Sequence, residues 1–330
     1  MPDENYIRGS QMNRVETQFE DGIAAECEAS QASIGFEGGS AMTGLATGQH
    51  TIPSELLELN ELDVFYDAER ETLWTYMRPE GRPSFTPPML GDFENWQRLI
   101  GASFGPDKVP LKYLVLGSRA PGVFCYGGDL ALFRQLILDR NREGLVEYGH
   151  RCCAILERNI NTLGIPMLTV GMVEGAALGG GLEALLSFDY IIAERSATFG
   201  LPEIMFGLFP GMGAHALLYR KLGSAMADRM ILSNETFTAR QMFEMGLVDE
   251  VVEDGTALEA TQAFIKRSMR RHTGMVASRK AMKIAKGVTL AELNEITELW
   301  ADTALQLSDK DLKLMERLAS AQRRGALKAA

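Results

Sequence analysis

Short, uninterrupted apolar runs recur through the middle of this chain, with longer helical stretches between them. The runs Tyr-Leu-Val-Leu at residues 113–116 and Pro-Met-Leu-Thr-Val at 166–170 show no polar alternation, which is typical of strands buried on both faces. The pattern predicts helices over 130–138 and 145–163, and a further strand over 190–193. Strands that alternate with helices indicate an α/β fold.

The chain before this region divides into two parts. Residues 1–60 are predicted to form a flexible or loosely attached extension, because the segment 21–50 is rich in Ala, Gly, Ser and Gln without a steady period. A regular helix over 11–30 is the alternative. Two strand-like runs, 62–66 and 72–77, flank a polar turn and predict a hairpin. A helix is expected between residues 91 and 100.

The end of the chain, residues 266–330, is predicted to be helical and to follow a core of residues 61–265. Thr289 and Glu292 have the spacing of a capping box ahead of an amphipathic run to residue 307. Ser308 resembles a second N-cap, and a helix to about residue 323 follows it. That helix places three apolar residues on one stripe: Leu312, Met315 and Leu318.

Charge and cysteine usage exclude several function classes. The chain carries 33 Lys and Arg against 44 Asp and Glu, a net charge of −11, whereas nucleic-acid binding favours a basic surface. The four cysteines form no Cys-x-x-Cys pair and the four histidines form no metal-binding pair. The N-terminus carries acids where a signal peptide has positive charge, and no apolar run approaches the ~20 residues of a membrane helix. We therefore expect a cytoplasmic protein that needs no metal or cofactor and does not insert into membranes.

A glycine triplet stands between an apolar run and an apolar helix. Residues 173–183 read Val-Glu-Gly-Ala-Ala-Leu-Gly-Gly-Gly-Leu-Glu. Consecutive glycines let a backbone approach a ligand closely, and a helix that starts there directs free amides toward it; close helix packing is the alternative. The spacing matches neither Gly-x-Gly-x-x-Gly nor a P-loop. The chain also has no Gly-x-Ser-x-Gly, so serine esterase chemistry lacks a nucleophile signal.

Two glutamates in apolar surroundings follow the triplet twenty residues apart. Glu183 lies in the first turn of the apolar helix, and Glu203 follows Phe-Gly-Leu-Pro at 199–202. Carboxyl groups in such settings can have raised and separated pKa values, so that one donates a proton while the other accepts one. Taken singly, each acid has an alternative explanation as a helix-terminal charge or a surface charge.

Five motifs in order resemble the signature of the crotonase (enoyl-CoA hydratase) superfamily. They cover roughly residues 62–265 and lie at 123–130, 173–183, 197–203, 209–213 and 237–249. The resemblance implies a spiral of ββα units with a helical tail. It also implies that Gly128 and Gly180 supply the two oxyanion-hole amides and that Glu183 and Glu203 form the catalytic pair.

Within the superfamily, the flanking sequence from about residue 60 to the end is most similar to the bacterial diffusible signal factor synthases. The segments that carry this similarity are 62–67, 76–79, 127–134, 207–214 and 299–307. Such enzymes dehydrate a 3-hydroxyacyl group on acyl carrier protein to a cis-2-enoyl thioester. They then hydrolyse the thioester and release a cis-2-unsaturated fatty acid as a quorum-sensing signal.

The same resemblance assigns roles to individual residues. Glu203 is expected to remove the Cα proton and Glu183 to protonate the leaving hydroxyl, after which the pair activates water for hydrolysis. For Trp300 and Leu318 ordinary core packing is the alternative. The residues expected to bind the substrate are Gly127, Leu178, Gly179, Trp300 and Leu318.

Partners follow partly from charge and partly from the resemblance. The segment 266–286 holds eight Lys or Arg and no acid, which suits acyl carrier protein or a CoA phosphate; a solvated helix face is the alternative. The resemblance implies a homotrimer or hexamer and, in some systems, a sensor-kinase receiver domain as partner. A conventional enoyl-CoA hydratase/isomerase of fatty-acid metabolism is the rival enzyme, and a regulatory or RNA-binding relative is the rival from another class.

Overall fold

The computed structural model describes residues 51–329, with side chains described to residue 320. Ten strands are present in this part of the chain. They are β1 (Leu62–Asp67), β2 (Thr72–Met77), β3 (Tyr113–Ser118), β4 (Val123–Cys125), β5 (Leu168–Val173), β6 (Ala176–Leu178), β7 (Tyr190–Glu194), β8 (Thr198–Gly200), β9 (Thr236–Thr238) and β10 (Glu250–Val252).

Eleven α-helices complete the described region, together with short 3-10 turns. The helices are α1 (Pro87–Ser103), α2 (Leu130–Leu138), α3 (Arg142–Ile160), α4 (Gly180–Leu185), α5 (Ala214–Leu222), α6 (Ser224–Leu232), α7 (Ala239–Glu244), α8 (Ala257–Ser268), α9 (His272–Lys286), α10 (Leu290–Ala304) and α11 (Asp309–Ala329).

The large sheet has six strands in the order β1-β2-β3-β5-β7-β10. β1 and β2 pair antiparallel, which confirms the predicted hairpin, and the other neighbours pair parallel. All six residues of β2 and of β5 are buried. The continuous apolar runs therefore mark strands covered on both faces, as the sequence predicts.

A second sheet has four strands in the order β4-β6-β8-β9. Each of these strands has three residues, too few for a period of two to be visible, and the sequence did not predict them. The chain alternates between the two sheets and adds a helix each time, as in β3-β4-α2 and β5-β6-α4. This repetition is the expected spiral of ββα units, and each passage places one loop at the edge of the small sheet.

The C-terminal helices cover the core. α10 packs on α3 and α11 packs on α2. The Thr289 hydroxyl accepts a hydrogen bond from the Glu292 N–H at 3.2 Å, so the predicted N-cap is present. The stripe on α11 is buried, with Leu312, Met315 and Leu318 each less than a tenth exposed.

At the other end, residues 1–50 of the expected extension lie outside the described residues. The 3-10 turn Ser54–Leu56 already buries Leu56 completely, so packing against the core begins before the expected boundary at residue 61. Cys125, Cys152 and Cys153 are free thiols in the core. Among residues 51–329, no helix combines the length and apolar character required to cross a bilayer.

Candidate active site

Three parallel strands of the small sheet end at one edge, and the predicted residues lie just beyond them. β4 pairs with β6 and β6 pairs with β8, both in parallel. Because the carboxyl ends of parallel strands point the same way, the chain segments that leave these strands converge. Those segments are residues 126–129, 179–183 and 201–206.

The first glycine of the triplet is required by close packing. Gly179 has φ +52°, and a Cβ on it would lie 2.5 Å from Oε1 of Glu203. An L-residue rarely adopts this conformation, and its Cβ would push the Glu203 carboxylate out of this position. The Gly179 N–H donates to the Gly200 carbonyl at 2.8 Å, which ties the turn to β8. Close packing therefore explains the first glycine of the triplet, and ligand binding by the triplet stays a prediction.

Two backbone amides meet where the β4 and β6 segments touch. A Cβ on Gly127 would lie 2.5 Å from the Gly180 nitrogen, and a Cβ on Gly180 would lie 3.5 Å from the Gly128 nitrogen. Within residues 51–329, neither the Gly128 nor the Gly180 N–H donates to a backbone carbonyl. These amides are the predicted oxyanion pair, and the structure places them side by side on one pocket wall.

Glu183 is almost fully buried, with 1% of the residue exposed. Its Oε1 accepts hydrogen bonds from the Met212 and Ala214 N–H groups, both at 2.9 Å. Burial raises the pKa of the Glu183 carboxyl to about 7, and the backbone donors oppose that rise because they stabilise the carboxylate. Met212 in the Gly-Met-Gly motif and Ala214 directly after it thus supply donors to the acid of the 173–183 motif.

Glu203 lies in the 3-10 turn Pro202–Phe206. Its Oε2 is buried and has no hydrogen-bond partner among the described residues. Burial, and then the charge of Glu183, raise the pKa of the Glu203 carboxyl to about 8. With fewer donors to its carboxylate than Glu183 has, Glu203 holds its proton more strongly.

Most of the predicted site residues line a single pocket. Its space, counting the open mouth, is about 720 Å³. Trp300 of α10 and Leu318 of α11 line it together with the β-sheet loops, so the tail helices close one side. The predicted residues along its wall are Gly128, Leu178, Gly179, Gly180, Glu183, Glu203, Trp300 and Leu318.

Gly127 was predicted to bind the substrate, and that role stays a prediction. It does not line the pocket; its carbonyl instead accepts a hydrogen bond from the Phe85 N–H at 2.7 Å. With φ +87°, it turns the chain so that the next residue, Gly128, faces the pocket. Its contribution is to shape the wall from behind, because β4 must bend sharply against the Gly180 backbone.

Several pocket residues were not predicted. Phe133, Tyr148 and Thr297 line the pocket, and the Phe133 ring lies 4.9 Å from that of Tyr148 and 5.0 Å from that of Trp300. The buried Tyr148 hydroxyl donates to the Phe85 carbonyl at 2.5 Å, which anchors the loop before α1. In sequence these residues belong to ordinary amphipathic helices, so no local pattern separates them from core positions.

Comparison with known proteins agrees with this architecture. Residues 107–310 match the family model described as enoyl-CoA hydratase/isomerase. The chain is 30% identical over 239 residues to the enoyl-CoA isomerase/hydratase fer4 of Mycosarcoma maydis, covering 71% of this chain and 84% of that protein. It is 35% identical over 140 residues to the 2,3-dehydroadipyl-CoA hydratase of Escherichia coli, covering 41% of this chain.

Coverage of other relatives is partial. The matched region spans 54% of the Escherichia coli hydratase. It spans 30% of the fatty acid oxidation complex subunit alpha of Idiomarina loihiensis, which is 31% identical over 223 residues. Their activities therefore bear on this chain only as proposals.

Solved structures share the fold. Pseudomonas aeruginosa DspI superposes with a TM-score of 0.60 at 25% identity, covering 69% of this chain and 88% of that one. The enoyl-CoA hydratase of Bacillus halodurans superposes with a TM-score of 0.65 at 21% identity, covering 78% of this chain and 100% of that one. The two sheets, the ββα repetition and the helical tail are those of crotonase-fold proteins. On the family match and this fold, the chain belongs to the enoyl-CoA hydratase/isomerase family of the crotonase superfamily.

Proposed function

We propose that this chain is a diffusible signal factor synthase. It dehydrates a 3-hydroxyacyl group on acyl carrier protein to a cis-2-enoyl thioester and then hydrolyses that thioester to a cis-2-unsaturated fatty acid. The observation that carries the proposal is the meeting of two buried carboxyls, Glu183 and Glu203, with the free amides of Gly128 and Gly180 in one pocket. The flanking motifs described above support this member of the family.

Dehydration uses the carboxyls and the amides together. Glu203 takes the proton from Cα, and the electron pair moves to the thioester oxygen, where two amides stabilise the enolate. Such donors act mainly on the transition state, and one is worth about 3 kcal/mol. The electron pair then forms the double bond, the β C–O bond breaks, and Glu183 protonates the hydroxyl that leaves as water.

Hydrolysis reuses the same pocket. One of the two carboxylates takes a proton from water, the oxygen attacks the thioester carbonyl, and the tetrahedral oxyanion faces the Gly128 and Gly180 amides. Its collapse breaks the C–S bond, and the thiol of the carrier leaves with a proton. The groups assigned to dehydration therefore suffice for both steps, without a resident metal or cofactor.

The backbone hydrogen bonds to Glu183 favour a second candidate, a conventional enoyl-CoA hydratase. Hydration begins with a proton on Glu203, for delivery to Cα, and a carboxylate on Glu183, to activate water. This is the arrangement that the backbone donors to Glu183 favour in the free protein. Dehydration begins from the opposite arrangement, so a synthase needs the bound substrate to move the shared proton from Glu203 to Glu183.

A product assay separates the two functions. The protein is incubated with a 3-hydroxyacyl carrier protein and, separately, with crotonyl-CoA, and the products are identified by mass spectrometry. Free cis-2-enoic acid from the first substrate supports the synthase. Hydration of crotonyl-CoA without release of free acid from the carrier substrate would reject the synthase in favour of the hydratase.

Substitutions test the two-acid mechanism directly. Glu183→Ala and Glu203→Ala should each abolish release of the unsaturated acid. Glu174 offers a matched control, because burial raises its pKa to about 7 and it does not line the pocket. Glu174→Gln should retain activity. Activity that survives in either pocket variant would refute the mechanism.

Acyl carrier protein is the proposed partner of the basic segment 266–286. Three of its eight basic residues form ion pairs: Arg267 with Glu250, Arg279 with Asp249 and Lys283 with Asp189. The other five basic residues of the segment form no ion pair among the described residues and could bind an acidic surface. All five are exposed: Lys266, Arg270, Arg271, Lys280 and Lys286.

A further inference from the structure

A second pocket lies behind the first. Counting the space that is open to solvent, it has about 470 Å³, and all but two of its lining residues are buried. Its walls are almost entirely apolar and come from α1, α3 and the end of α4, with Phe93, Trp96 and Phe188 among the rings. The two polar side chains with an amide group on its wall are Gln97 and Asn159.

The two pockets share one wall. Met212 lines both, and its N–H is held by Glu183. On α4, Glu183 faces the first pocket and the next residue, Ala184, lines the second. On α3, Gly149 lines the first pocket and Cys152, one turn later, lines the second. The unbranched, flexible Met212 side chain thus lines both spaces.

Both amides in the second pocket have an unsatisfied oxygen. Oε1 of Gln97 and Oδ1 of Asn159 have no hydrogen-bond partner among the described residues, and both residues are more than nine-tenths buried. Their nitrogens are used: Gln97 Nε2 donates to the Ile155 carbonyl at 2.8 Å and Asn159 Nδ2 donates to the Ser187 hydroxyl at 2.7 Å.

The orientation of the Asn159 amide follows from the hydrogen bonds of the Ser187 hydroxyl. The Ser187 hydroxyl donates to the Ala184 carbonyl at 2.5 Å, so it can only accept from Asn159, and the Asn159 oxygen must remain free. A buried acceptor without a donor destabilises the folded protein. Two of them in one apolar pocket indicate an occupant that is mostly apolar and brings a hydrogen-bond donor.

We infer that the second pocket binds the far end of an acyl chain that carries a hydroxyl group there. This inference rests on the proposed function only in taking the first pocket as the acyl thioester site. The distance is suitable, since ten residues of α3 separate Gly149 from Asn159 and span about 15 Å, the length of an extended chain of roughly a dozen carbons. Rotation of Met212 lets the chain pass, and the terminal hydroxyl donates to Gln97 or Asn159.

Binding of free acids tests this without turnover. Isothermal titration of the full chain with dodecanoic acid and with ω-hydroxydodecanoic acid should show about tenfold tighter binding of the hydroxylated acid, because it satisfies a buried acceptor that the plain chain leaves unpaired. Equal affinities, tighter binding of the plain acid, or no binding of either acid would overturn the inference.

Isosteric variants show which residues cause the tighter binding of the hydroxylated acid. In Gln97→Met with Asn159→Leu, the hydroxylated acid should lose its advantage, and the melting temperature should hold or rise because two unpaired acceptors are removed. Asn294 also has an unpaired buried oxygen but lines neither pocket, so Asn294→Leu should keep the preference. A preference that persists in the double variant would place the hydroxyl elsewhere and overturn the inference.

The two proposals fail separately. If the product assay rejects the synthase, the titration with free acids still decides what the second pocket holds. If the titration shows no preference for the hydroxylated acid, the second pocket is assigned wrongly and the roles of Glu183 and Glu203 are unaffected.

Discussion

Replacement of Gly127 by alanine tests whether the paired amides depend on close backbone packing. Gly127 has φ +87°, and its added Cβ would lie 2.5 Å from the Gly180 nitrogen and 2.9 Å from the Leu178 carbonyl oxygen. Both neighbours are backbone atoms and cannot rotate away. An ordinary contact needs 3.4 to 4 Å, so the segments carrying Gly128 and Gly180 must separate by about 1 Å.

The substitution should affect both the folding free energy and the turnover number. The left-handed conformation costs an L-residue about 1–2 kcal/mol, and the contact with Gly180 adds to this loss of folding free energy. In the protein that still folds, displacement of one amide should lower the turnover number by about 10²- to 10³-fold. The assay is turnover of whichever acyl thioester the wild-type protein converts, together with the melting temperature.

Gly164 provides the matched control. It also has a left-handed φ, +72°, but an added Cβ meets nothing within 4 Å. Gly164→Ala should therefore show only the conformational cost and keep full turnover. If folded Gly127→Ala turns over as fast as Gly164→Ala, the two amides do not stabilise the reacting oxygen, and the reasoning is refuted.

Three other changes test separate parts of the site. Because burial raises the pKa of Glu203 to about 8, the folded protein binds a proton that the unfolded chain releases near pH 4.5, and stability falls as the pH rises between these values. Glu203→Gln should make that fall smaller without abolishing it, because burial also raises the pKa values of Glu183 and Glu174 to about 7; parallel melting curves for both proteins from pH 5 to about 8.5 would contradict this. Arg270→Glu with Arg271→Glu should raise the KM for carrier-bound substrate and leave that for a short soluble thioester unchanged, whereas equal effects would reject carrier docking. Trp300→Ala should shift turnover toward longer or bulkier acyl chains while lowering stability by about 3–5 kcal/mol, and an unchanged chain-length profile would assign Trp300 to packing alone.

Much of the large sheet and of the helical tail could be predicted, because their signals are local. The apolar run at 113–116 and most of the run at 166–170 lie in β3 and β5, whose residues are almost all buried. The hairpin of β1 and β2, the cap at Thr289 and the stripe on α11 are where the sequence predicts them. Each depends on a period or on a spacing of a few residues, which the chain shows without tertiary contacts.

The small sheet could not be predicted in the same way. Its strands have three residues each and are held by neighbours distant in sequence, such as Phe199 beside Ala177 and Phe237. The position of Gly127 could not be predicted for this reason. It lies behind the pocket wall because two such strands are in contact there. The roles of Phe133 and Tyr148 were hidden for the same reason, because an amphipathic helix does not show which of its buried residues line a cavity.

The sequence by itself determined the two glutamates, the glycines beside them and the family, because these reside in contiguous motifs of restricted spacing. Only the tertiary structure decided how the acids differ. Backbone amides from residues 212 and 214 reach Glu183, whereas Oε2 of Glu203 is buried without a partner. The different environments of the two carboxyls arise from burial and from donors distant in sequence, which no local pattern encodes.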